Sequence, residues 1–159
     1  MNVKALLDVD MVAMEATDKV TLMLDMTAPA NPADATRPGQ CVQVVLDRSG
    51  SMNGQPLESA KGSLLKLIDR LAPQDSFGLV AFDDQALVIA PTRTMADHNM
   101  PALRKAIREM RTGGSTDISA GYLLGLRELN RVKAEGGSTL LLISDGHANA
   151  GEKEIGRAH

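Results

Sequence analysis

An α/β fold on a mostly parallel sheet follows from three features of the 159-residue sequence. The run Val42-Gln43-Val44-Val45-Leu46 is nearly unbroken by polar residues, which suits a strand buried on both faces of a parallel sheet. From that run onward the chain reads strand, loop, helix, strand, the order that builds parallel sheets. Two buried runs end abruptly in acidic, hydroxyl-bearing loops, Asp47-Arg48-Ser49-Gly50-Ser51 and Ser144-Asp145-Gly146. Sites of open α/β sheets form at that carboxyl edge, where the loops leaving adjacent strands converge.

The elements follow in order. Two strands are predicted over 3–9 and 20–26; in the second, Val20, Leu22 and Leu24 alternate with Thr21, Met23 and Asp25 in a half-buried period of two. They pair as a hairpin or lie along a sheet edge. Residues 29–40 form a connector, because Pro29, Pro32 and Pro38 among small residues resist both helix and sheet. The division is therefore an N-terminal β extension over 1–28, the linker over 29–40 and an α/β domain over 41–159. After the strand at 42–46, Leu57, Ala60, Leu64, Ile68 and Leu71 recur at helical spacing and predict a helix over 57–71. Strands are expected over 76–82 and 86–91; Asp83-Asp84-Gln85 is too short for a crossover, so these two must be antiparallel. Asn99 caps a helix over 100–111, with Pro101 in its first turn and Leu103, Ile107 and Met110 on its buried face. A helix over 118–133 with Leu123, Leu126, Leu129 and Val132 as its apolar stripe leads to a last strand over 139–143.

Composition narrows the function. A net charge of −3 and a pI near 5.6, with basic residues scattered, give no footprint for nucleic acid. One Tyr, two Phe and no Trp leave almost nothing to stack on bases or sugars. Cys41 is the only cysteine, which excludes a disulfide scaffold and suits a small buried hydrophobe. Lys4, Asp8 and Asp10 break the N-terminal segment, so no signal peptide is expected. No run approaches the roughly 18 apolar residues of a membrane span, and the expected location is cytoplasmic.

The chemistry lies in three loops. Asp47, Ser49 and Ser51, spaced by two, can point a carboxylate and two hydroxyls into one small volume, with Gly50 allowing a tight turn. That hard-oxygen set prefers Mg2+, Mn2+ or Ca2+ over zinc. A right-handed crossover sets the strands at 42–46 and 139–143 side by side and brings Asp47 and Asp145 within reach of one ion. Thr116 stands in the glycine-paired loop Thr112-Gly113-Gly114-Ser115-Thr116-Asp117. Singly, each of these residues is an ordinary turn former or cap: Ser115 or Thr116 would cap the helix from Ile118, and Asp145-Gly146 would be a turn. Asp83 and Asp84 read as solvated hairpin residues, His147 as a loop residue at the rim, and Met52 as packing beneath the loop.

Asp-x-Ser-x-Ser after a buried strand, Gly-Gly-Ser-Thr-Asp before a helix and Leu-Leu-Ile-Ser-Asp-Gly at a later strand together resemble the von Willebrand factor type A domain and its metal-ion-dependent adhesion site. The resemblance runs from about Cys41 to the C-terminus. It implies a Rossmann-like three-layer α/β sandwich with one antiparallel edge hairpin. It also implies that Ser49, Ser51 and Thr116 offer hydroxyl ligands to Mg2+ (or Mn2+/Ca2+), with Asp47 and Asp145 binding directly or through water. One position is left for an acidic side chain of a partner protein. Two carboxylates only neutralise a divalent ion, and neutral hydroxyls leave it electrophilic, which favours such a carboxylate.

In this family the strand corresponding to 139–143 is followed by further helices and two more strands, whereas the sequence stops at His159. A fold incomplete at its C-terminus is expected, with an exposed sheet edge open to self-association. Residues 1–40 resemble the strand-rich lead-in of bacterial members. The resulting expectation is a non-catalytic, metal-dependent protein-binding module. The alternatives are a metal-dependent phosphatase or hydrolase and an assembly subunit pairing through its edge. Haloacid-dehalogenase phosphatases want a second Asp where this chain has Ser49, and Ser49 lacks a nucleophile-elbow pattern. No general base is evident, although Asp117 and His147 stand near ligand positions.

Overall fold

A computed structural model describes residues 2–7, 21–27 and 37–146. The chain divides into two compact units, Met1–Thr36 and Arg37–His159. In the first, β1 (Asn2–Leu7) and β2 (Leu22–Thr27) pair antiparallel, with Asn2 opposite Thr27 and Leu7 opposite Leu22. The alternation read from 20–26 buries no face here: Leu22, Met23, Leu24 and Met26 are all more than half exposed. A two-stranded ribbon has no second layer of its own to cover either side. Residues 8–20 between these strands and most of the connector lie outside the described residues, as does His147.

The second unit is built on β3 (Cys41–Asp47), α1 (Gln55–Ile68), β4 (Ser76–Phe82), β5 (Ala86–Thr94), α2 (Met100–Glu109), α3 (Ile118–Leu129) and β6 (Ser138–Ile143). The sheet order is β5-β4-β3-β6. β3 is parallel to both β4 and β6, and β4 and β5 form the antiparallel hairpin that the short Asp83-Asp84-Gln85 link requires. β5 runs on to Thr94, past Pro91, because it is an edge strand and its pairing with β4 shifts register between Phe77 and Leu79. Proline is tolerated at such an irregular edge.

Helices cover both faces of this sheet. On one, Leu57, Ala60, Leu64 and Ile68 of α1 and Leu103 and Ile107 of α2 pack with Met110 on Val44, Leu46, Phe77, Leu79 and Ala81. Met52 is buried in the same cluster, beneath the loop after β3. Asn99 caps α2 by accepting from the Ala102 amide at 3.1 Å. On the other face, α3 lies over Val45, Val80 and Phe82.

The contact face of α3 differs from the expected leucine stripe. Leu123 is 56% exposed, while Gly121, Gly125 and Glu128 are buried. A Cβ on Gly121 would stand 2.5 Å from the Phe82 ring, and one on Gly125 2.3 Å from Val45 Cγ2. The helix backbone thus rests directly on the sheet, an approach that periodicity of large apolar residues cannot register. Gln43, the polar exception in β3, is fully buried on this side, where its Oε1 accepts from Thr92 Oγ1 at 2.6 Å.

Residues 37–40 are tied to the second unit. The Arg37 guanidinium donates to both Asp75 carboxylate oxygens, at 2.7 and 2.5 Å, and the Gln40 and Ala72 amides donate to the same group. Among the described residues, no helix is long and apolar enough to cross a membrane.

Candidate functional site

Register places the site. Asp47 ends β3 opposite Phe82 of β4, and Leu46 lies opposite Ile143 of β6, so Asp47, Asp83 and Ser144 leave three neighbouring parallel strands at one edge. The loops they begin are laced together. Asp47 Oδ1 accepts from the Ser49 amide at 2.8 Å, and Asp47 Oδ2 accepts from Ser144 Oγ at 2.7 Å. The Gly50 amide donates to Gly114 O at 2.9 Å, and the Gly113 amide donates to Arg48 O at 2.7 Å. The loop carrying Thr116 is thereby stitched to the loop carrying Ser49 and Ser51.

Asp47 is fully buried, Ser49 is 1% exposed and Thr116 is 1% exposed, whereas Ser51 and Asp145 are exposed. The Ser49 and Ser51 hydroxyl oxygens are 3.1 Å apart. Cis ligands of an octahedral ion held at about 2.1 Å lie about 3.0 Å apart, so this spacing fits Mg2+. Asp145 stands one residue past Ser144, on an exposed turn in which the Gly146 amide donates to Ser144 Oγ and Gly146 adopts a φ of +87°.

Asp47 carries the main electrostatic demand. Its carboxylate has only neutral donors on it, and among the described residues it makes no ion pair with Lys, Arg or His. A buried carboxylate without a counter-charge is costly, and a cation is the group that relieves it. No three His, Cys, Asp or Glu side chains that could hold a metal ion converge among the described residues.

Asp83 corrects the expectation of a solvated hairpin residue. It is 3% exposed, its Oδ2 lies 2.7 Å from Arg48 Nη2, and its Oδ1 accepts from the Gln85 amide at 2.9 Å. Its backbone carbonyl accepts from the Asp117 amide at 2.7 Å, and a Cβ on Gly113 would stand 1.9 Å from its Oδ2. One residue therefore holds both the Arg48 loop and the Gly113–Asp117 segment. The available signal was its position, first after a buried strand parallel to β3 and at the same edge as Asp47.

Capping of α3 falls to Asp117. Its Oδ1 accepts from Ser119 Oγ at 2.5 Å and from the Ala120 amide at 2.9 Å. The Ser119 hydroxyl bond, followed by the Ala120 amide, holds this carboxyl below its ordinary range. Ser115 and Thr116 are not the cap. Burial pushes the Cys41 thiol up, away from reactive thiolate.

The von Willebrand factor type A domain model matches residues 42–147, which takes in all three loops. The chain belongs to that family. An uncharacterized protein of Synechocystis sp. is 35% identical over 139 residues, covering 87% of this chain and 32% of that protein. Inter-alpha-trypsin inhibitor heavy chain H1 of Sus scrofa is 34% identical over 134 residues, covering 76% of this chain. This chain spans a third or less of these relatives, only 14% of the pig protein. Among solved structures, the type A domain of the type V pilus tip protein Mfa5 from Porphyromonas gingivalis aligns with a TM-score of 0.64 at 24% identity, covering 72% of this chain and 40% of that one. The PilB minor pilin of Streptococcus sanguinis aligns with a TM-score of 0.59 at 18% identity, over 81% and 34% of the two chains. These likenesses establish the fold of the type A domain for this chain, a mixed α/β sheet with helices packed on it.

Proposed function

We propose that this type A domain is a non-catalytic module that binds a protein partner through a divalent cation at the carboxyl edge of its sheet. The reading rests on the fully buried Asp47 carboxylate, which has no counter-ion among the described residues and lies in the same loop as the paired Ser49 and Ser51 hydroxyls. Asp47, Ser49, Ser51, Thr116 and Asp145 are the proposed ligands, directly or through water. A bound Mg2+ would supply an electrophilic centre for a carboxylate oxygen of the partner. Asp47 and Asp145 neutralise the ion, and the hydroxyls of Ser49, Ser51 and Thr116 add no charge, so attraction for an acidic side chain remains. Lacing of the loops by the Gly50, Gly113 and Ser144 hydrogen bonds supports preorganised oxygens. Membership of a family of protein-interaction modules supports binding over catalysis.

Thermal unfolding in MgCl2 against EDTA tests the metal. At 100 times its dissociation constant an ion stabilises the fold by about 2.7 kcal/mol, and the Tm rises accordingly. Ser51→Ala should leave the EDTA melting point in place, because Ser51 is exposed and its hydroxyl meets only that of Ser49, while shrinking the Mg2+ shift. Absence of any shift with Mg2+ or Mn2+, or one that persists undiminished in both Ser51→Ala and Asp47→Asn, refutes the site. Metal-dependent turnover of phosphate esters, abolished in Asp47→Asn, would replace the binding role with a hydrolase.

A further inference from the structure

A cleft of about 510 Å3 lies between the start of α1 and the end of α2. Its floor and walls include Lys61, Arg108 and Arg111 against Glu58 and Glu109. Both acidic residues already face lysines: Glu58 Oε1 lies 2.8 Å from Lys61 Nζ, and Glu109 Oε1 lies 3.8 Å from Lys105 Nζ. Arg108 and Arg111 have no acidic partner among the described residues. The Lys61 side chain is only 9% exposed, yet its counter-ion Glu58 is 66% exposed and holds it weakly. An ammonium has three donors, and one is engaged here, so Lys61 can donate to a second carboxylate. In a chain of net charge −3 this is a local excess of positive charge.

The cleft adjoins the loops of the proposed metal site. Asn53 lines it and donates its amide to Gly50 O at 3.2 Å, directly after the turn that carries Ser51. Thr112 lines the opposite side and precedes Gly113, whose amide is bonded to Arg48 O. A peptide that reached an ion beside Ser49 and Ser51 would continue over this rim.

We propose that the cleft is a second anchor for the same partner, with Arg108, Arg111 and Lys61 taking an acidic side chain of the segment whose first carboxylate meets the ion; this sharing of one partner rests on the metal-bridging reading above. The partner is thus an acidic peptide segment with at least two carboxylates. Arginine suits this role, since its planar fork matches a carboxylate in two parallel hydrogen bonds.

Two fluorescein-labelled peptides test it on the full chain: one aspartate in a glycine-serine background, and the same peptide with a run of glutamates after the aspartate. In Mg2+ the glutamate peptide should bind at least about fivefold tighter, an advantage that shrinks at high salt. Arg108→Ser/Arg111→Ser should abolish the advantage. Arg93→Ser, an exposed arginine of β5 outside the cleft, should keep it. In EDTA, amide shifts at 53–55, 57–58 and 108–112 should respond to the glutamate peptide alone. Equal binding of both peptides, or an advantage that survives the double substitution or is lost in Arg93→Ser, overturns the cleft. Cleft shifts in EDTA with no response of either peptide to Mg2+ uphold the acidic-peptide cleft and overturn the metal bridge instead.

Discussion

Asp83→Ala should loosen the whole carboxyl edge without touching a proposed ligand. The substitution removes the carboxylate 2.7 Å from Arg48 Nη2 and the acceptor of the Gln85 amide. Truncating one partner of a buried ion pair costs about 3–5 kcal/mol. Arg48 keeps 22% of its side chain exposed and regains some water, which reduces the figure to about 2–3 kcal/mol. Against that, Arg48 Nε is buried without a hydrogen-bond partner, so the guanidinium has little local compensation. The lost turn acceptor adds about 0.5–1 kcal/mol, for a total near 3 kcal/mol. At about 4 °C per kcal/mol for a unit of this size, the melting point should fall by roughly 10–12 °C. Differential scanning fluorimetry reads that shift, and hydrogen exchange should show the Gly50 and Gly113 amides, bonded to Gly114 O and Arg48 O, opening first. A melting point within about 2 °C of the parent, with both amides still protected, would falsify the claim that Asp83 ties the two loops together.

Other outcomes follow from the same structure. The Arg37 guanidinium, with the Gln40 and Ala72 amides, holds the Asp75 carboxyl far below its ordinary range. A depressed carboxylate stabilises the fold above its unfolded value near pH 3.9 and loses that contribution as pH falls below it. Urea unfolding should therefore show stability declining from about pH 4 downward, and Asp75→Asn should flatten the decline; an unchanged slope in the variant contradicts the clasp. Gly121→Ala should destabilise by about 1–3 kcal/mol despite the better helix propensity of alanine, because the methyl group meets the Phe82 ring at 2.5 Å. A variant of equal or higher Tm would mean that α3 can lift off the sheet freely. Leu123→Lys, at a site 56% exposed, should change stability by no more than about 0.5 kcal/mol, and a loss above 2 kcal/mol in chemical denaturation would return that residue to a core.

The strands at 41–47 and 76–82, the antiparallel link after Phe82 and the buried faces of α1 and α2 were legible because each is local. Apolar runs, short connections and helical spacing state them within a dozen residues. The candidate site is read from sequence in a similar way: Asp47, Ser49 and Ser51 stand at a spacing of two after a buried strand, and the family resemblance adds Thr116 and Asp145 to the proposed oxygens. The tertiary structure alone decided which residues hold those oxygens. Asp83 looks like any hairpin aspartate until the parallel register of β3 and β4 sets it beside Arg48 and Gly113. The leucine spacing does not mark the contact face of α3, because the helix packs closely on Phe82 and Val45 where Gly121 and Gly125 carry no side chain. Hydrophobic periodicity counts atoms that are present, whereas a helix resting on a sheet by its backbone is specified by atoms that are absent.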